Sequence, residues 1–177
     1  FFSSSVVAED ISDFQIEGMS IGDSLLDYLS EEEIIKQEVD YFPNKDGKFT
    51  ISAFNKSFFS NTYDWIEIGY KSFDNKFVIQ RLSGVVSYEK NIDECYDKKF
   101  SIYQEISNEF NFNEDEWQEH KYTSKKNTYI ETFKYVLSSG DSILVQCYDW
   151  ATEMENTYFD HLKIIMITKE YEIWVNN

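Results

Sequence analysis

Hydrophobic positions along this chain follow two periods that alternate in blocks. Ile21, Leu25, Tyr28 and Leu29 recur at helical spacing, with Asp23, Ser24 and Asp27 off the stripe. Ser20 followed by Asp23 is a capping-box pattern, which predicts a helix beginning at Ile21. Ser30 with Glu33 repeats it and predicts a break, then a second short helix carrying Ile34 and Ile35. After a turn at Asn44-Lys-Asp-Gly47 the period changes to two. Phe49, Ile51 and Ala53 alternate as a strand, and a second strand runs from Tyr63 to Lys71. A tight turn at Asp74-Asn75 leads into a third strand from Lys76 to Tyr88, where Phe77, Ile79 and Leu82 face the core. Gly84 reads as a bulge within it.

The same order then recurs. Asn91 with Glu94 opens a helix whose stripe is Ile92, Cys95, Tyr103, Ile106 and Phe110. Strands follow near Thr128 to Leu137, Ser142 to Trp150 and His161 to Ile167, the first two joined by Ser138-Ser-Gly-Asp141. Lys169 to Val175 suits a short helix or a strand. This order predicts an α+β fold, an antiparallel sheet with helices packed on one face. It would be one domain from 9 to 177, in two helix-plus-three-strand halves at about 14–88 and 91–175. Cys95 lies on the helix stripe and Cys147 shares a strand face with Ile143 and Val145. We expect the two to be bonded, which would pin the second helix to its sheet and stabilise the chain by about 4 kcal/mol in the chain-entropy model. Two unpaired buried thiols are the alternative.

Composition narrows the function. A chain of 177 residues with 42% hydrophobic and 18% aromatic content can bury a full core. A formal charge of −17 sets it against nucleic-acid backbones and anionic membrane surfaces, and no run is long and apolar enough to span a bilayer. Phe1 and Phe2, with Val6 and Ala8 at the −3 and −1 positions, suit the end of a signal peptide cleaved after Ala8. The alternative for residues 1–8 is a frayed tail. With two cysteines this points to a periplasmic or secreted protein.

Candidate chemistry is sparse. Asp23, Asp27 and Glu31 would form a carboxylate row on one unbroken helix, though a solvated face explains them as well. Asn111, Asn113 and Asp115 have the alternating spacing of a calcium loop, but Glu116 replaces its glycine and Tyr122 its bidentate acid. Glu116 and His120 would share a helix face at i and i+4, and His161 follows Asp160 at a strand start. No third ligand is in register, so no metal or cofactor is expected. Trp65, Trp117, Trp150 and Trp174 serve either the core or a ligand face.

Three resemblances complete the reading. Gly22-Asp23-Ser24-Leu25 resembles the signature of the GDSL esterases and lipases, which would make Ser24 a nucleophile. That family's serine follows a buried parallel strand, and its Asp-x-x-His pair would correspond here only to Asp160 directly before His161. The strings FQIEGMSIGDSLLDYLSEEEI, YEKNIDECY, CYDW and DHLKI resemble a family of small exported proteins of uncharacterised function from marine bacteria with AT-rich genomes. The helix start at Gly18 to Ser20 resembles those of small outer-membrane assembly lipoproteins and the β-lactamase-inhibitor fold, although no lipobox cysteine stands near residue 9. The resemblance to the exported family implies export and a shared fold, not an activity. The expectation is an exported, acidic, non-enzymatic module that binds an envelope protein or a small ligand across its sheet, with a Ser24 esterase as the alternative. On the first reading Ser24→Ala leaves binding unchanged and stability level or slightly raised.

Overall fold

A computed structural model describes residues 10–42, 45–59, 62–89, 91–124, 128–151 and 158–177. Eight strands form one antiparallel sheet: β1 (Glu38–Val39), β2 (Phe49–Asn55), β3 (Trp65–Lys71), β4 (Ile79–Glu89), β5 (Gln118–Thr123), β6 (Tyr129–Val136), β7 (Ser142–Asp149) and β8 (Asp160–Ile167). Their spatial order is β1-β2-β3-β4-β8-β7-β6-β5. Each half of the chain is therefore a four-stranded meander. The meanders meet where the last strand of one pairs with the last strand of the other, from Arg81↔Ile167 to Ser87↔His161. The sequence expected three strands in each half. The extra strands are a two-residue β1 and an edge strand β5 whose six residues are all exposed, so it has no apolar period to read.

Among the described residues three α-helices accompany the sheet: α1 (Glu31–Lys36), α2 (Ile92–Phe110) and α3 (Lys169–Asn176). Helix α1 starts as expected, since the Ser30 hydroxyl accepts from the Glu33 N–H and the Glu33 carboxylate accepts from the Ser30 N–H. Helix α3 settles the ambiguous C-terminal segment, with Thr168 as its cap. The expectation that the helices share one face holds for α1 and α2 only. Strand β8 shows this directly: Leu162 and Met166 join the core beneath α2, whereas Ile165 and Ile167 join a second core with Tyr171 and Trp174 of α3.

The largest departure is at residues 14–29, where a helix from Ile21 was expected. Glu17, Gly18 and Gly22 have φ of 54°, 77° and 94°, left-handed values that stop a helix before it can start. The backbone instead bonds to the start of β4. The Gly22 N–H donates to Ile79 O, the Ile79 N–H to Asp23 O, and the Leu25 N–H to Phe77 O. One 3-10 turn follows at Leu25–Asp27. The predicted box survives as a turn, with the Ser20 N–H donating to Asp23 Oδ2 at 2.8 Å. Of its expected stripe, Ile21 and Leu25 are buried and Leu29 partly so, whereas Tyr28 is exposed. Asp23, Asp27 and Glu31 therefore form no row on one helix. The expected bulge at Gly84 is also absent, and the register shifts instead at Gly69/Tyr70 and Ser87/Glu89.

Helix α2 lies across β7, β8 and β4. The Cys95–Cys147 disulfide ties it to β7, with Cα atoms 6.0 Å apart and both residues fully buried. Beside it Lys99, only 3% exposed, pairs with Glu131 at 2.9 Å and sits 4.4 Å over the Phe133 ring.

Candidate functional site

By the described residues, the sheet's second face is only half covered. Helix α3 closes one end, where Trp174 meets Phe49 edge-on and Tyr171 lies over Gly69 so closely that a Cβ there would come within 2.6 Å of its ring. Lys134 and Ser142 hold Glu172 from the strands below. At the other end, strand pairing aligns Trp65, Val85, Lys163, Gln146, Thr132 and His120 in one row across six strands. The next row is Ser87, His161, Tyr148, Ile130 and Tyr122. Among the described residues no helix crosses these rows.

An ion cluster stands at the boundary between the covered and open halves. Glu67 of β3 is 6% exposed and faces two cations. Arg81 Nη2 approaches its Oε2 at 3.0 Å, and Lys163 Nζ lies 3.1 and 3.2 Å from its two oxygens. The Ser83 hydroxyl donates to Oε2 at 3.2 Å. Burial pushes the Glu67 carboxyl up, but the Lys163 and Arg81 charges outweigh it and hold its pKa down at about 2. Two cations thus face one carboxylate, a formal excess of one positive charge within the cluster of a strongly acidic protein. Arg81 Nη1 and the Tyr171 hydroxyl are buried without a protein partner.

The open rows continue from this cluster as a polar and aromatic floor. Lys163 Nζ lies 5.3 Å over the Tyr148 ring, and Tyr148 stacks on His161 with centroids 4.5 Å apart. The Tyr148 hydroxyl donates to Gln146 Oε1 at 3.0 Å, and Gln146 Nε2 donates to Thr132 Oγ1 at 3.0 Å. Burial, and then the Lys163 charge, push His161 down to about 4, so the ring is neutral at pH 7. Its Nδ1 lies 2.8 Å from Phe159 O and 3.4 Å from the Trp150 indole nitrogen. Around this floor stand exposed aromatics: Trp65 at 47%, Tyr122 at 48% and Tyr41 at 51%. Tyr41, pushed up to about 12 by burial and the Glu67 charge, reaches the rim of the ion cluster. Trp150 stacks on Tyr158 at 4.2 Å beside the floor.

The residues singled out in the sequence lie elsewhere, or in other roles. Cys95 and Cys147 are bonded as expected. Ser24 is in no helix and follows no long buried strand; it stands just before the 3-10 turn Leu25–Asp27. It bridges Val78, and its hydroxyl donates to Lys76 O at 2.7 Å. His161 pairs with Ser87 at the far end of β4, about 30 Å along the strand from Val78, and His120 sits on the far edge strand. Neither histidine is therefore placed beside Ser24 to act as its base. Asn111 is the left-handed C-cap of α2, and Asp115 and Glu116 lie in a single 3-10 turn. Glu116 accepts from the Tyr135 hydroxyl at 2.8 Å, while His120 lies in β5, so the two share no helix face. Trp117 and Trp174 are core, whereas Trp65 and Trp150 border the floor. The signal-peptide end expected at residues 1–8 lies outside the described residues.

Glu67, Arg81 and Lys163 escaped the sequence reading. Each is a lone charge inside an apolar run: Trp-Ile-Glu-Ile, Ile-Gln-Arg-Leu and Leu-Lys-Ile-Ile. A charge at such a position is a signal of pairing, because it is rarely buried alone. Compared with protein-family models, curated proteins and solved structures, the chain shows no significant match.

Proposed function

We propose that this protein is an exported, acidic binding module that docks a protein partner on the open half of the sheet face bearing α3. The observation that carries this reading is the placement of Trp65, Tyr122 and Tyr41, all about half exposed, around one floor of fixed polar groups. Tryptophan, tyrosine and arginine dominate the energetics of protein interfaces, because large rings bury area at low entropic cost while polar neighbours fix the register. The floor is rigid in advance, its tyrosine, histidine, glutamine and lysine each held by stacking or hydrogen bonds. The buried disulfide supports export, since such bonds persist in oxidising compartments. No helix among the described residues is long and apolar enough to cross a membrane.

Photocrosslinking amino acids placed singly at positions 65, 122, 28 and 73 of the full chain test the reading in the native cell. Tyr28 and Phe73 are also exposed but lie off the floor. A discrete adduct from 65 and 122, absent from 28 and 73 and weakened by Tyr41→Ala, is the expected result. Equal labelling from all four positions, or none from 65 and 122, would overturn it.

A further inference from the structure

The opposite face holds a second feature that the interface reading does not use. Between α2 and the N-terminal segment a groove of about 620 Å³ opens onto the sheet along the seam of β4 and β8. Its floor is Val86, Leu162, Ile164 and Met166, with Ile143 of β7 beside them. One wall is Ile102, Ile106 and Phe110 of α2, and the other is Phe14, Ile16 and Tyr63. Gly84 deepens that second wall. A Cβ there would lie 2.4 Å from the Tyr63 ring, so the missing side chain lets the ring lie flat on the strand. Val86, Ile106, Phe110, Ile164 and Tyr63 are only partly buried although they pack against the core. The groove thus leaves apolar surface in contact with water on both walls and on the floor.

Size and charge select the occupant. The volume falls within the range of small-molecule sites, and two facing walls suit a narrow chain better than a flat partner surface. The mouth carries Asp13, Glu105 and Glu109 against Lys98. The surrounding protein adds to that negative field. An anionic head would be repelled at this mouth, and a cationic one attracted.

We infer that this groove binds a single-chain amphiphile, its alkyl chain against the β4–β8 seam and a cationic head between Glu105 and Glu109. The groove and the aromatic floor lie on opposite faces of the sheet, so either site can fail without the other.

Calorimetric titration of the full chain with dodecyltrimethylammonium, dodecyl maltoside and dodecyl sulfate, each below its micelle concentration, tests the inference. The expected result is saturable one-to-one binding of the ammonium, weaker binding of the maltoside and none of the sulfate. Combining Glu105→Gln with Glu109→Gln should weaken the ammonium about fivefold, a size ordinary for exposed charge pairs, and leave the maltoside unchanged. Ile106→Trp, which fills the groove from its helix wall, should abolish binding of both while circular dichroism and the disulfide are retained. Undiminished binding to a folded Ile106→Trp protein would overturn the inference, as would preference for the sulfate or the lack of a saturable phase with any of the three. Should Ile106→Trp fail to fold, the paired glutamine substitutions decide the result, since both positions are at the groove mouth.

Discussion

Beneath α2 the strands present Ile143, Val145 and a disulfide, whereas their other side presents Glu67, Arg81 and Lys163 with an aromatic helix over only one end. The first face is closed by apolar burial and one covalent bond, and its groove leaves part of that apolar area in water. The second face carries charges whose desolvation must be offset by close pairing, so its geometry is fixed even where no helix covers it. Stability on one side comes from area, and on the other from satisfied polar groups. The face with the more demanding chemistry is also the one left open.

The widest gap between the faces should appear on removing Glu67. Glu67→Ala leaves Arg81 and Lys163 nearly buried and facing each other, and should cost roughly 3–5 kcal/mol in urea unfolding. If it costs under 1 kcal/mol, the second face is held by α3 and not by its ion cluster. Replacing both Cys95 and Cys147 by alanine tests the first face. Freeing a cross-link that spans 52 residues should cost about 4 kcal/mol in the chain-entropy model. Alkylation without reductant should label no thiol in the unmodified protein, as checked by mass.

Acid should act on the second face in two stages. Folded His161 titrates near 4 rather than 6.5, so between those values the unfolded chain holds a proton that the folded chain lacks. Stability from this group is complete above pH 6.5 and is lost as pH falls to about 4, a loss on the order of 3 kcal/mol at about 1.4 kcal/mol per pKa unit. Glu67, lowered from 4.5 to about 2, contributes stability that is present above pH 4.5 and lost as pH falls through about 2. His161→Phe, which keeps the stack on Tyr148, should flatten the upper leg of the unfolding free energy against pH and leave the lower one. An unchanged upper leg would assign it to other groups. The smallest effect belongs to Ser24→Ala. It removes a hydroxyl that ties the N-terminal segment to Lys76 O, so it should cost about 1 kcal/mol instead of the gain that a helical position would give. Labelling by a fluorophosphonate probe should be nil in both proteins.

What the sequence made legible follows from where the information lies. Strands β2, β6, β7 and β8 were readable as apolar runs bounded by turn residues, and helix α2 by its apolar stripe, so Cys95 could be matched to Cys147 from the buried side of each. Residues 14–29 misled because their apolar spacing suits a helix, while Glu17, Gly18 and Gly22 take left-handed φ and the backbone donors find acceptors in β4. Local spacing cannot report a partner more than fifty residues away. The candidate floor was the least legible part. Glu67, Arg81, Tyr148 and Lys163 come from four strands, and only the β3–β4–β8–β7 order makes them neighbours.

That order also sets a timetable. As the chain is made from its N-terminus, β2, β3 and β4 can pair as soon as they exist, but the partner of β4 is β8, the last strand of all. Until Arg81 meets Ile167, the long edge of β4 is bare, with Leu82, Gly84 and Val85 beside unpaired backbone groups. Bare apolar edges pair with whatever strand arrives, and such long-range closure is slow. The joining of β4 to β8 is therefore the step at which this protein is most exposed to misassembly, and a chain cut before Asp160 should aggregate rather than yield a stable first half.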